Sequence, residues 1–205
     1  MFDYDEPARV AALRRLSPRL QVAWALLCAE RALPGYRRFH RKTGRGDPFA
    51  AEALAERLWF DVAGDPMTGS ELETALGRAE QLLIDADDGL WSEPTQYNAD
   101  DATAALFYAL AARAHADPQL AAFAGRRLYE LADHLAQRAL GDQVSARTWT
   151  MADEVRLLAH PLVQHELARQ EGDLRDLAEL GDDAREVLET MKARAASDAA
   201  DLLPA

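Results

Sequence analysis

The chain has 205 residues, 49% of them hydrophobic, with 35 acidic against 23 basic side chains, a net charge of −12 and one cysteine. A chain of this length buries about 70% of its unfolded surface and can hold a core without disulfides or metal, and the lone Cys28 excludes an internal disulfide. The acidic surplus repels nucleic acid and anionic lipid, and with no apolar run near the ~20 residues of a membrane span and no secretory pattern in MFDYDEP, a cytoplasmic protein is expected.

Ser17-Pro18 opens the first helix with a cap acceptor followed by a proline, and Leu20, Trp24, Leu27 and Cys28 recur along it with helical period. Leu33-Pro34-Gly35 should bend or interrupt that helix, because proline removes a hydrogen bond and clashes with the preceding turn. Tyr36, Phe39 and Thr43 follow at helical spacing, and Gly44 and Gly46 allow a tight exit. Asp47-Pro48 starts the next helix, with Leu54, Leu58, Trp59 and Val62 on one face.

Ser70 with Glu73 reads as a capping box before Leu72, Leu76 and Leu83. The longest irregular stretch is Ala86 to Tyr97, which contains Trp91, and Asn98 with Asp101 signals the following helix of Leu106, Phe107 and Leu110. Asp117-Pro118 opens a helix carrying Leu120, Ala124, Leu128, Leu131 and Leu135, and Thr150 starts another. From Pro161, Leu167, Leu174, Gly181, Leu188 and Ala195 recur every seven residues, with Leu177, Ala184 and Met191 beside them.

That register favours one continuous C-terminal helix of about 40 residues and roughly 60 Å, whose far end would need a partner such as a second copy in a homodimer. The competing reading is a stop and restart at Gly181. No segment alternates as a strand would. The expected fold is all-α: one domain over residues 1–205, a helical bundle of about seven helices with a long C-terminal helix.

The segment ERALPGYRRFHRKTGRGD carries a resemblance in Glu30, Arg31, Pro34, Tyr36, Phe39, Thr43, Gly44, Gly46 and Asp47, followed by Trp59. Weaker matches are Ala86 to Asp88, Tyr97, Asp101 and Ala102. In these residues the chain resembles the YjaG-like bacterial family of unknown function, DUF416. The resemblance implies a small, bacterial, cytosolic, all-helical protein without an established activity, with a link to histidine-kinase signalling that genomic neighbourhood suggests for the family.

Glu30 and Arg31 have apolar neighbours, and a charge facing a core needs a partner. A functional reading gathers Glu30, Arg31, Tyr36, Asp47, Asp87, Asp88 and Asp101 into one polar pocket. The structural reading makes the same segment a bend, an aromatic plug, a glycine turn and a cap. Arg37, Arg38, Arg41, Lys42 and Arg45 form a patch of five positive charges, leaving −17 for the rest of the chain. It could dock an acidic protein surface or a phosphate, or be a solvated helix face.

No metal or cofactor is expected. His40, His115, His134, His160 and His165 lack zinc-ligand spacing, Glu130 and His134 at i,i+4 read as a surface ion pair, and the acidic stretch from Asp85 departs from the calcium-loop pattern. No catalytic motif is present. The leading expectation is a non-catalytic interaction or regulatory protein. The alternatives are a carboxylate-rich, metal-dependent enzyme and an immunity-type protein that neutralises a basic toxin.

Overall fold

The structure, a computed structural model, describes residues 2–84, 95–141, 150–180 and 185–202. Among them are nine α-helices and no strand: α1 (Glu6–Leu13), α2 (Pro18–Thr43), α3 (Pro48–Val62), α4 (Gly69–Leu82), α5 (Thr95–His115), α6 (Pro118–Leu140), α7 (Met151–Leu158), α8 (Pro161–Glu179) and α9 (Arg185–Leu202). The all-α bundle expected from the sequence is the observed fold, with more helices than the seven expected. Asp5 caps the additional α1, its Oδ1 accepting from the Ala8 N–H at 2.9 Å. Most of the irregular stretch, with Asp87, Asp88 and Trp91, lies outside the described residues.

The axis of the bundle is α2. Every residue from Leu20 to Ala29 is buried, which is the pattern of a helix surrounded on all sides. It packs against α5, α6, α3, α8 and α9. Small residues make that close packing feasible: Ala23, Ala25, Ala29 and Ala32 on α2, and Ala99, Ala102, Ala105 and Ala109 on α5, are buried. At the α2–α6 crossing a Cβ on Gly125 would lie 2.3 Å from Trp24 Cη2, so only glycine fits.

Four sequence expectations change. Pro34 does not interrupt α2, which continues through Pro34 and Gly35 to Thr43. The lost hydrogen bond is one among many, and buried residues on both sides of it, from Ala32 to Phe39, hold the helix by tertiary packing. The capping box of α4 is Thr68 with Glu71 rather than Ser70 with Glu73, both of its reciprocal bonds being present. Asn98 and Asp101 are buried inside α5 instead of starting it.

The fourth change is the C-terminal helix. Helix α8 ends at Glu179, Leu180 is extended at φ −79°, ψ 127°, and α9 begins at Arg185; Gly181 itself lies outside the described residues. The two helices run antiparallel, as pairs Arg169–Asp198 (2.9 Å) and Arg194–Asp173 (2.8 Å) show. Leu174, Leu177, Leu188, Met191 and Ala195 all enter the main core, so the seven-residue repeat supplies two short faces to one bundle instead of one 60 Å seam.

Gly125→Ala should lower stability by about 1–3 kcal/mol in urea denaturation, since the Trp24 ring is fully buried and has no room to withdraw. Gly77→Ala in α4, where nothing lies within 4 Å of a new Cβ, should be neutral or stabilising by up to about 1 kcal/mol.

Candidate functional site

Arg31 projects from the middle of α2 and is 1% exposed. Its Nε and Nη2 donate to the two carboxylate oxygens of Glu166, each at 3.2 Å, and its Nη1 donates to Asp173 Oδ2 at 2.8 Å. The other oxygen of Asp173 accepts from Arg194 of α9 at 2.8 Å, and Arg194 also reaches Asp176 at 2.7 Å. Two guanidiniums thus face two buried carboxylates across α2, α8 and α9. Burial opposes the charge on Arg31, but Glu166, Cys28 and Asp173 outweigh it and raise the guanidinium pKa. Burial also pushes the Glu166 carboxyl up, against the lowering effect of Arg31 and Gln170.

Gln170 sits one turn from Glu166 and locks α8 to the α2–α6 crossing. Its Nε2 donates to Glu166 Oε1 at 2.9 Å and to the Gly125 carbonyl at 3.0 Å, while its backbone carbonyl accepts from Trp24 Nε1 at 3.2 Å. Glu166, Gln170 and Asp173 went unnoticed in the sequence, yet their i, i+4, i+7 spacing places three polar groups on one helix stripe beside Leu167 and Leu174.

The other signature residues serve separate contacts. Glu30 faces α3, where Trp59 Nε1 donates to its Oε1 at 2.8 Å, and burial raises its pKa against that bond. Lys192 of α9 lies over the Trp59 ring at 5.9 Å and pairs with Glu56. Tyr36 accepts from the Asp47 N–H at 2.8 Å. Gly46, at φ 77°, passes so close to that phenol that a Cβ would fall 2.5 Å from its oxygen. Asp47 caps α3 by accepting from the Ala50 N–H at 3.0 Å and pairs with Arg78 of α4 at 2.9 Å.

Asp101 belongs to a third place, the α5–α6 face. Its side chain is 3% exposed, with His134 Nδ1 at 3.5 Å from Oδ2 and Arg127 Nη1 at 3.6 Å from Oδ1; Oδ2 and Nδ1 make no hydrogen bond among the described residues. Burial raises the Asp101 pKa, and Asp101 in turn raises that of His134 above the ordinary 6.5. Glu130, paired with His134 on sequence spacing, instead accepts from Arg126 and Arg127. Glu30, Arg31, Tyr36 with Asp47, and Asp101 therefore occupy distinct contacts; Asp87 and Asp88 lie outside the described residues. Among the described residues no three His, Cys, Asp or Glu side chains are grouped to hold a metal.

The basic patch closes α2. Arg37 pairs with Glu52 of α3, Arg41 and Lys42 are exposed, and Arg38 and Arg45 are half-buried. Beside it, α3 turns Phe49 and Phe60 outward, 76% and 50% exposed. Their positions, eleven residues apart and off the Leu58–Val62 core face, are a signal that the sequence reading passed over.

The family model described as "Protein of unknown function (DUF416)" matches residues 9–200. The chain belongs to the DUF416 family. Among solved structures, the crystal structure of a DUF416 family protein from Shewanella baltica OS155 is similar over 92% of this chain and 93% of that one, at a TM-score of 0.78 and 19% identity. That likeness shows a shared fold. No curated protein matches the chain. Within this DUF416 chain Glu30, Arg31, Tyr36, Asp47 and Trp59 join α2 to α3 and α8, and α3 to α4 and α9, and no described helix is long and apolar enough to cross a membrane.

The Asp101–His134 pair makes stability depend on pH. A histidine whose folded pKa is raised contributes stability that is complete below 6.5 and is lost as pH rises through the folded value. Wild type should therefore exceed His134→Gln in unfolding free energy at about pH 6 and lose that margin by about pH 9. Because the imidazole is 38% exposed, the margin should be about 1 kcal/mol or less. A pH-independent difference in urea titrations would contradict the pairing.

Proposed function

We propose that this protein is a cytoplasmic, non-catalytic interaction protein that docks a protein partner beside the basic end of α2. The observation that carries this reading is where the signature's polar groups go. Glu30 is bonded by Trp59, Arg31 by Glu166 and Asp173, Tyr36 by the Asp47 N–H, and Asp47 by α3 and Arg78. Groups spent on internal contacts stabilise the scaffold and are poorly placed to act on a substrate.

What the scaffold presents outward is charge and apolar surface. Arg41 and Lys42 are exposed on a chain of net charge −12, and local charge of opposite sign to the whole steers an acidic partner to one face. A regulatory role, which the family resemblance implies through its link with histidine-kinase signalling, would use the same face. The enzyme reading needs carboxylates that converge, whereas Glu30, Asp47 and Asp101 have different partners on different helices.

Immobilised wild-type protein should retain a reproducible, near-stoichiometric partner from a native lysate, and Arg41→Glu/Lys42→Glu should lose most of it. Absence of any reproducible partner after cross-linking would overturn the interaction role.

A further inference from the structure

Helix α3 has one face that the bundle does not cover. Phe49, Ala53, Glu56 and Phe60 follow one another at intervals of four, three and four residues, the spacing of a single helical stripe, and all four are exposed. Over these twelve residues the stripe is about 16 Å long, three helical turns. Two exposed phenylalanines on one three-turn stripe mark a contact surface more strongly than scattered apolar side chains do. Met151 and Val155 are also exposed, but they lie on an eight-residue helix and adjoin residues outside those described.

The flank of α3 beside the stripe lines a mixed cleft of about 420 Å³ against α4, with Leu54, Met67 and Ala75 in its walls and Arg57, Glu71 and Arg78 along it; Arg57 faces Asp65 and Glu71, and Arg78 pairs with Asp47. The carboxylates nearest the stripe are already neutralised from within: Glu52 by Arg37 and Glu56 by Lys192. At the N-terminal end of α3 stand the exposed Arg41 and Lys42 of α2. The surface is therefore an apolar ridge with exposed cations at one end.

We infer that this surface is the docking site for an acidic amphipathic helix of a partner protein, which lays its apolar side on Phe49 and Phe60 and its carboxylates toward Arg41 and Lys42. The inference rests on the interaction role proposed above and names its surface and partner class. An amphipathic helix presents apolar anchors at i, i+3/i+4 and i+7 spacing, which match a three-turn stripe carrying Phe49 and Phe60, and the cations at the end of that stripe complement its acidic side.

The test uses the full chain and a fluorescein-labelled helical 18-residue peptide with leucines on one face and glutamates on the other, followed by fluorescence anisotropy at low and physiological salt. Two control peptides replace glutamate by lysine, or scramble the sequence so that no apolar face forms. The amphipathic acidic peptide should bind at least tenfold more tightly than either control. Phe49→Ser/Phe60→Ser should weaken it at least tenfold, and Arg41→Glu/Lys42→Glu should weaken it about threefold or more, with melting temperatures confirming that both variants fold. Equal binding of the scrambled peptide, undiminished binding to the Phe49/Phe60 variant, or no binding would overturn the inference. So would self-association of the protein that the phenylalanine substitutions abolish, since a second copy would then be the occupant. If a lysate partner is retained by the phenylalanine variant but lost with Arg41→Glu/Lys42→Glu, the interaction role stands and this docking surface fails.

Discussion

The guanidinium of Arg31 is the contact on which the arrangement of the C-terminal half depends. A lone charge at 1% exposure would carry a large desolvation penalty, and the residues one turn away on α2, Leu27, Cys28, Pro34 and Gly35, are apolar. Three donors directed at Glu166 and Asp173 offset that penalty only while α8 holds one rotation and one height against α2. Asp173 then needs a second cation, which Arg194 supplies from α9. An apolar interface of equal area tolerates sliding and rotation; this one does not, because any shift leaves a buried charge without its partner.

Packing and polarity agree at the neighbouring crossing. Gly125 lets α6 approach the Trp24 ring, and Gln170 reads that approach by bonding the Gly125 carbonyl while accepting from Trp24 Nε1. Trp24, Gly125 and Gln170 therefore fix the same helix that Arg31 fixes through Glu166. On the opposite side of α2 a parallel arrangement joins Glu30 to Trp59 and Tyr36 to the start of α3. The polar residues Glu30, Arg31, Tyr36 and Asp47 thus join helices of the bundle, and the proposed docking face, at the basic end of α2 and the outer stripe of α3, lies outside those contacts.

Much of this frame was legible in the sequence where a local rule acts alone. Asp47, Asp117 and Thr150 cap the helices that their spacing announced, and Leu20, Trp24, Leu27 and Cys28, which recur with helical period, are buried in α2. The misreadings occur where tertiary contacts decide. Pro34 is a strong helix breaker by itself, but packing on both sides carries α2 through it. Asn98 has the propensity of a cap, yet α5 already includes Thr95. The heptad from Leu167 to Ala195 satisfies a long helix and an antiparallel pair equally; Asp173–Arg194 and Asp198–Arg169 select the pair. Glu30 and Arg31 were visibly in need of partners, but nothing in one sequence names Trp59 or Glu166 as those partners, since 29 and 135 residues separate them.

The most direct test of the role given to Arg31 is hydrogen–deuterium exchange on Arg31→Lys. Lysine keeps the charge but replaces the planar fork with a single ammonium that cannot serve Glu166 and Asp173 in the same geometry. If the guanidinium positions the C-terminal helices, amides of α8 and α9 should exchange at least tenfold faster while those of α5 and α6 keep their protection. Unchanged protection in α8 and α9, or an equal loss of protection in every helix, would contradict it.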